Sequence, residues 1–84
     1  MLADALEHLV SGIVSNPEDV HVRSRQLRNV TLLEVRVAPG DVGKVIGRNG
    51  RTAMALRTVM SAIAGQTNLR IDFIDVDRQP GSRR

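Results

Sequence analysis

The chain is predicted to be a small α+β domain, on three observations. Apolar residues recur at helical spacing near the N-terminus, two period-two segments follow, and a glycine-interrupted helical region then returns to a third period-two segment. Eighty-four residues leave room for one domain only. With 42% hydrophobic and 25% charged residues the chain is too apolar for a disordered tail. It also lacks a run of about 18 uncharged apolar residues that would span a bilayer, so a soluble globular domain is expected. Cysteine is absent, which excludes a disulfide framework, a thiolate zinc site and a thiol nucleophile. The first fourteen residues carry Asp4 and Glu7 where a secretory leader needs positive charge, and a cytoplasmic protein is the expectation.

Leu2, Leu6, Leu9, Val10 and Ile13 share one helical face, and Asn16-Pro17 breaks the pattern, predicting an amphipathic helix over 2–15. Val20 and Val22 alternate with His21 and Arg23, and Thr31, Leu33, Val35 and Val37 alternate with Leu32, Glu34 and Arg36. These segments predict a hairpin jointed around Gln26 to Asn29, without an Asn-Gly turn to set its type. Ala38-Pro39-Gly40 is a breaker, and Asp41 is placed to N-cap a short helix over Val42 to Ile46. Gly47 to Gly50 interrupts that helix. A longer one runs from about Arg51 to Ala64 and closes at Gly65, a residue suited to a left-handed cap. Leu69, Ile71 and Phe73 alternate with Arg70 and Asp72, predicting a third strand that reaches Val76, before a polar tail over 78–84.

Eleven of the twelve basic residues are arginines, Lys44 being the exception, and they are segregated. Residues 1–22 carry four acids and no Lys or Arg, whereas residues 42–71 carry Lys44, Arg48, Arg51, Arg57 and Arg70 without one acid. A basic half in a chain of net charge +3 points toward a polyanion, and the planar fork of arginine suits phosphate.

Within the basic half, GKVIGRNGRT is glycine-rich but is neither of the two common phosphate loops. A P-loop needs a glycine five positions ahead of Gly-Lys, and none stands there; a dinucleotide fingerprint needs glycine where Val45 stands. What remains is Gly47-Arg48-Asn49-Gly50 between two helices. Glycine at both ends lets the backbone turn sharply and lets another backbone approach, while free N–H groups at the start of the next helix face incoming phosphates. Lys44, Arg48 and Arg51 add charge at the same edge. Gly-x-x-Gly by itself also suits a plain helix-turn-helix, its glycines serving only as caps.

The context of the loop narrows the choice. VIGRNG, with Gly43 ahead of it, between an αββ lead-in and a final strand, resembles the K-homology (KH) domain, whose signature is Gly-x-x-Gly between two helices after an aliphatic pair. The helix-first order is similar to the type II, prokaryotic arrangement, αββααβ. HLVSGIVSNPEDV and VAPGDVGKVIGRNGRTAMALRTV are similar to the small single-domain bacterial RNA-binding proteins of the KhpA type. The resemblance covers residues 1–77. It implies a mixed three-stranded sheet packed on three helices, and a groove for about four unpaired nucleotides. Carried over, the loop is Gly47, Arg48, Asn49 and Gly50, with Val42, Gly43 and Ile46 on or beneath the groove wall. Ala53 stands where many KH domains have a larger aliphatic residue. The resemblance also implies pairing with a second copy or with a larger KhpB-type KH protein.

Composition agrees with a groove that grips without stacking. Phe73 is the one aromatic residue, and its alternation with Ile71 predicts a core role. On a helical wheel Ala53, Leu56, Met60, Ile63 and Ala64 form one stripe of the long helix. Ala55, Val59 and Ala62 widen it to roughly 200°, against the ~100° of an ordinary surface helix. The surplus is either covered by the N-terminal helix or is a partner surface. His8 and His21 have no metal-site companions, and Ser11, Ser15, Ser24, Ser61 and Ser82 have no nucleophile setting. The expectation is a non-catalytic module for single-stranded RNA, without cofactor, metal, membrane or small-molecule substrate. The rival is a protein-interaction adaptor docking through the long helix.

Overall fold

The structure, a computed structural model, describes residues 1–65 and 67–74. Helix α1, Leu2–Ser11, buries Leu6 and Val10 as its spacing predicts, but it ends at Ser11 instead of continuing to residue 15. Gly12 and Ile13 donate to Leu9 and Val10, bonds that tighten the last turn, and the chain then leaves the helix axis toward Asp41. A single 3₁₀ turn at Pro17–Asp19 leads into strand β1, His21–Gln26, which pairs antiparallel with β2, Thr31–Arg36. The hairpin register places Leu27 opposite Val30, whose carbonyl accepts the Leu27 N–H, so the joint is Arg28-Asn29. Neither residue has positive φ, which excludes the type I′ turn.

A 3₁₀ turn at Pro39–Asp41 opens helix α2, Val42–Ile46, and the loop that follows leads into α3, Arg51–Ala64. Gly65 closes α3 with positive φ (67°), though its ψ of −118° lies outside the left-handed helical basin expected of it. Strand β3, Leu69–Ile74, lies parallel to β2, giving a mixed sheet of order β1-β2-β3. The expected extension to Val76 and the polar tail lie outside the described residues. Among those residues, no helix is long and apolar enough to cross a membrane.

The two faces of the sheet differ in kind. Leu33, Val35 and Ile71 face the helices and form one core with Leu6, Val10, Val45, Leu56 and Met60. Phe73 packs against this core but stays half-buried, so its expected core role is only partly met. The alternate residues face away from the helices in three register rows: His21, Arg36 and Ile74; Arg23, Glu34 and Asp72; Arg25, Leu32 and Arg70.

Asp41 ties the two halves of the chain together. Sequence spacing marks it as the N-cap of α2, and it holds that position, yet its side chain makes no capping bond. It is 2% exposed and accepts hydrogen bonds from the backbone N–H of Ser15 (3.2 Å) and from the backbone N–H (3.0 Å) and Nδ2 (3.1 Å) of Asn16. Lys44 Nζ lies 3.7 Å from it and also donates to Ser15 Oγ. Burial by itself would raise the Asp41 carboxyl, but the donors of Ser15 and Asn16, with Lys44 beside them, outweigh burial and hold it below its ordinary value of 3.8. A carboxyl shifted downward stabilises the fold only while ionised, so its contribution is full at neutral pH and is lost as pH falls through the lowered value. Asp41→Asn is therefore expected to melt below the unmodified chain at neutral pH, with the gap closing in acid below pH 3.8. Thermal melts followed by circular dichroism across that range check this, and a gap that stays constant into acid contradicts it.

Candidate nucleic-acid interface

The turn between α2 and α3 is built on a backbone that only glycine adopts without strain. Gly47 has φ 77° and ψ 172°, a region closed to side-chain-bearing residues, and a β-carbon there would strike the side chain and backbone of Thr52. Asn49 follows at φ 57° and ψ 26°, the left-handed conformation that asparagine tolerates better than most residues, and Gly50 lies at φ 74°. Gly50 N–H bonds back to Gly47 O at 3.1 Å and closes the loop on itself. The outcome is a four-residue bend whose two central side chains, Arg48 and Asn49, are exposed.

Electrostatics at this bend run against the needs of the fold. The start of α3 has no acidic residue in its first turn and no side-chain cap, and exposed Arg51 stands at its first position. Cations at a helix N-terminus oppose the helix dipole, at about 0.3–1 kcal/mol each. Arg48 and Arg51 thus create an uncompensated positive edge that an anion would relieve. Gly43 adds a second unexplained choice. It sits inside α2 with ordinary backbone angles, and a β-carbon on it would meet nothing within 4 Å. Packing does not require glycine there, yet glycine costs a helix up to about 1 kcal/mol relative to alanine. The bare position is exposed between half-buried Val42 and the loop, with Ile46 half-buried beyond it.

Lys44 departs from the expected arrangement. Its ammonium is drawn to Ser15 and Asp41, on the side of α2 that holds the chain following α1, so its charge is engaged within the protein. Arg48 and Arg51 carry the positive edge of the loop without it.

A cleft of about 290 Å³ lies between α3 and the open edge of β3, lined by Arg57, Ser61, Leu69, Arg70, Ile71 and Asp72. Sequence reasoning missed this cleft, although a signal was present: Arg57 and Ser61 follow Gly50 by seven and eleven residues and share its helical face. Thr31 N–H bonds to Asn68 O, so residues of even number in β3 turn their backbone toward β2 and those of odd number turn it outward. Arg57 Nη2 donates to the outward carbonyl of Ile71 at 3.3 Å, and its guanidinium lies 5.4 Å from the centre of the Phe73 ring. The cleft thus lies along α3 beyond the loop, and one of its lining residues, Arg57, rests near the sole aromatic ring of the sequence.

On α3, Ala53, Leu56 and Met60 are buried as the stripe predicts, but Ile63 is not, being 53% exposed. Ala55, Val59 and Ala62 are also exposed, so α1 does not cover the surplus apolar arc. His8 and His21 are exposed.

The family model described as "KhpA/KhpB, KH domain" matches residues 3–74. The chain is 66% identical over 77 residues to "RNA-binding protein KhpA" of Streptomyces coelicolor, covering 92% of this chain and 96% of that protein. It is 52% identical to the protein of the same name from Leifsonia xyli over 75 residues, covering 89% of this chain and 99% of that one. Against the namesake in Chlamydia trachomatis identity is 37% over 72 residues, covering 86% and 92% respectively. No solved structure matches the chain.

The two glycines should respond oppositely to a methyl group. Gly47→Ala is expected to destabilise the fold by about 1–3 kcal/mol through backbone strain alone. Gly43→Ala is expected to leave stability unchanged or to raise it by up to about 1 kcal/mol. Urea unfolding of the two variants checks both signs.

Proposed function

The chain belongs to the KhpA/KhpB KH-domain family, and we propose that it is a single-stranded RNA-binding module acting in post-transcriptional regulation or as an RNA chaperone. The Gly47–Gly50 loop holds the sugar-phosphate backbone, and the adjoining groove takes about four nucleotides. The observation that carries this reading is the exposed, self-closed bend at the positive start of α3, with arginines where the helix dipole favours acids. Backbone N–H groups at the bend and the forks of Arg48 and Arg51 supply the phosphate donors. Val42, Gly43 and Ile46 form the wall against which the strand lies, Gly43 being bare so that the strand comes close. Lys44, held by Asp41 and Ser15, contributes through long-range charge. The role is binding without catalysis, in the cytoplasm.

A second reading concerns partners. Val59 and Ile63, 44% and 53% exposed, lie beside Ala55 and Ala62 on the outer side of α3 and favour an apolar contact with another KH chain. The family's joint name supports a KhpB-type protein or a second copy as that partner. Val59→Asp is expected to weaken association at least tenfold without unfolding the chain, measured by sedimentation at rising concentration with and without a KhpB-type protein.

The clamp itself is tested by Arg48→Asp with Asn49→Asp, which sets negative charge beside the phosphates. Binding of a short oligouridylate is expected to vanish while circular dichroism stays unchanged. In the unmodified chain the logarithm of the affinity should fall with the logarithm of salt at a slope of about −1.4, two contacts at roughly 0.7 each. A slope near zero removes the phosphate clamp.

A further inference from the structure

The arginines of the first half of the chain, dispersed in sequence, are collected by the hairpin onto one surface. Arg23, Arg25 and Arg36 meet Arg70 on the face of the sheet that points away from the helices, and all four are exposed. Two acids, Glu34 and Asp72, share this face with the four arginines, leaving a surplus of two positive charges among these six residues. Glu34 is engaged by Arg25 at 3.4 Å, and among the described residues no acid lies within ion-pair distance of Arg23, Arg36 or Arg70. Leu32 lies at the middle of its row, 8% exposed yet outside the core cluster, so it is covered from its own face, where Arg25 and Arg70 flank it. Arginine stems that lie over a leucine hold their guanidinium groups at a set height above the sheet.

We propose that this open sheet face is a second contact for the backbone of single-stranded RNA, on the opposite side of the domain from the loop between α2 and α3. The inference rests on the RNA-binding reading and adds a site to it. Three features favour a phosphate-bearing strand. The cations are arginines throughout, whose planar forks take two phosphate oxygens at once. Residues two apart on a strand stand about 6.7 Å from each other, so Arg23 and Arg25 are spaced comparably to successive phosphates of an extended strand. The net positive charge of the face opposes stacking against the same face of a second copy. A shallow cleft of about 70 Å³ is lined by His21, Arg23, Glu34, Arg36 and Ile74, and with Glu34 engaged by Arg25 it gives a phosphate and its sugar a place to settle beside Arg23 and Arg36.

Two weak contacts on opposite sides of a domain 25–37 Å across do together what neither does singly. A long strand that reaches both gains affinity from the raised effective concentration of the second contact, and two separate strands are brought within one domain's width of each other.

The test follows amide resonances of the Arg48→Asp, Asn49→Asp chain, whose loop clamp is disabled, during titration with an oligouridylate much longer than the roughly four nucleotides of the groove. Resonances of residues 21–25, 34–36 and 70–72 are expected to shift in a salt-dependent manner. In the chain with its loop intact, the combined Arg23→Gln and Arg36→Gln changes should weaken binding of that long strand on the order of tenfold and reduce its salt slope by about 1.4. Affinity for an oligouridylate of about four nucleotides should be unchanged. Still sheet-face resonances, or a double variant that binds the long strand as well as the unmodified chain, overturn the proposal. So does polyglutamate moving these resonances more strongly than RNA, which would assign the face to an acidic protein segment. In the unmodified chain, loop resonances that stay still while sheet-face resonances shift would count against the clamp alone.

Discussion

A β-carbon at residue 47 would occupy space already held by Thr52. That constraint sets the direction in which α3 leaves α2, because Thr52 is near the start of α3 and Gly47 is the last link before the bend. With the backbone at φ 77° and ψ 172°, the chain reverses inside four residues, and Arg48 and Asn49 are turned outward. The bend places the start of α3 at the protein surface, with exposed Arg48 and Arg51 beside it. Everything assigned to this edge, from the phosphate donors to the closeness of the approach at Gly43, depends on that one turn.

A buried carboxylate gives the bend a fixed base. Asp41 lies at the N-terminal end of α2 and is bonded to Ser15 and Asn16, which belong to the chain leaving α1. The N-terminal helix, which supplies Leu6 and Val10 to the core, is thereby linked to the short helix that presents the loop. A five-residue helix has little stability of its own, since so few hydrogen bonds offset the cost of forming its first turn. Tertiary anchorage through Asp41 and through buried Val45 replaces what the local sequence does not supply. The same network consumes the charge of Lys44, which separates this residue from the arginines beside it in sequence.

Charge is distributed by surface rather than by segment. The loop edge carries Arg48 and Arg51, the cleft between α3 and β3 carries Arg57 and Arg70, and the outer sheet face carries Arg23, Arg25 and Arg36 with Arg70 at its border. Arg57 is held by the carbonyl of Ile71 and the ring of Phe73. Arginines are thereby presented on more than one side of a small domain. The apolar residues Ala55, Val59, Ala62 and Ile63 occupy the exposed side of α3, below Arg51 at its start.

Periodicity and glycine punctuation determined the element order, the bounds of α2 and α3, the inward residues of β2 and the place of the bend, because each is set by neighbours a few residues apart. The bend's composition also made the family resemblance legible. Tertiary structure alone decided three matters that local patterns do not encode. Asp41 became a long-range anchor instead of a helix cap, since the N–H groups of Ser15 and Asn16 reach it only after folding. Ile63 stayed exposed because α1 packs across a narrower arc of α3 than its apolar width offers. The arginines at 23, 36 and 70 came together because strand register, antiparallel on one side of β2 and parallel on the other, is a pairing between distant segments and leaves no mark in either segment read singly.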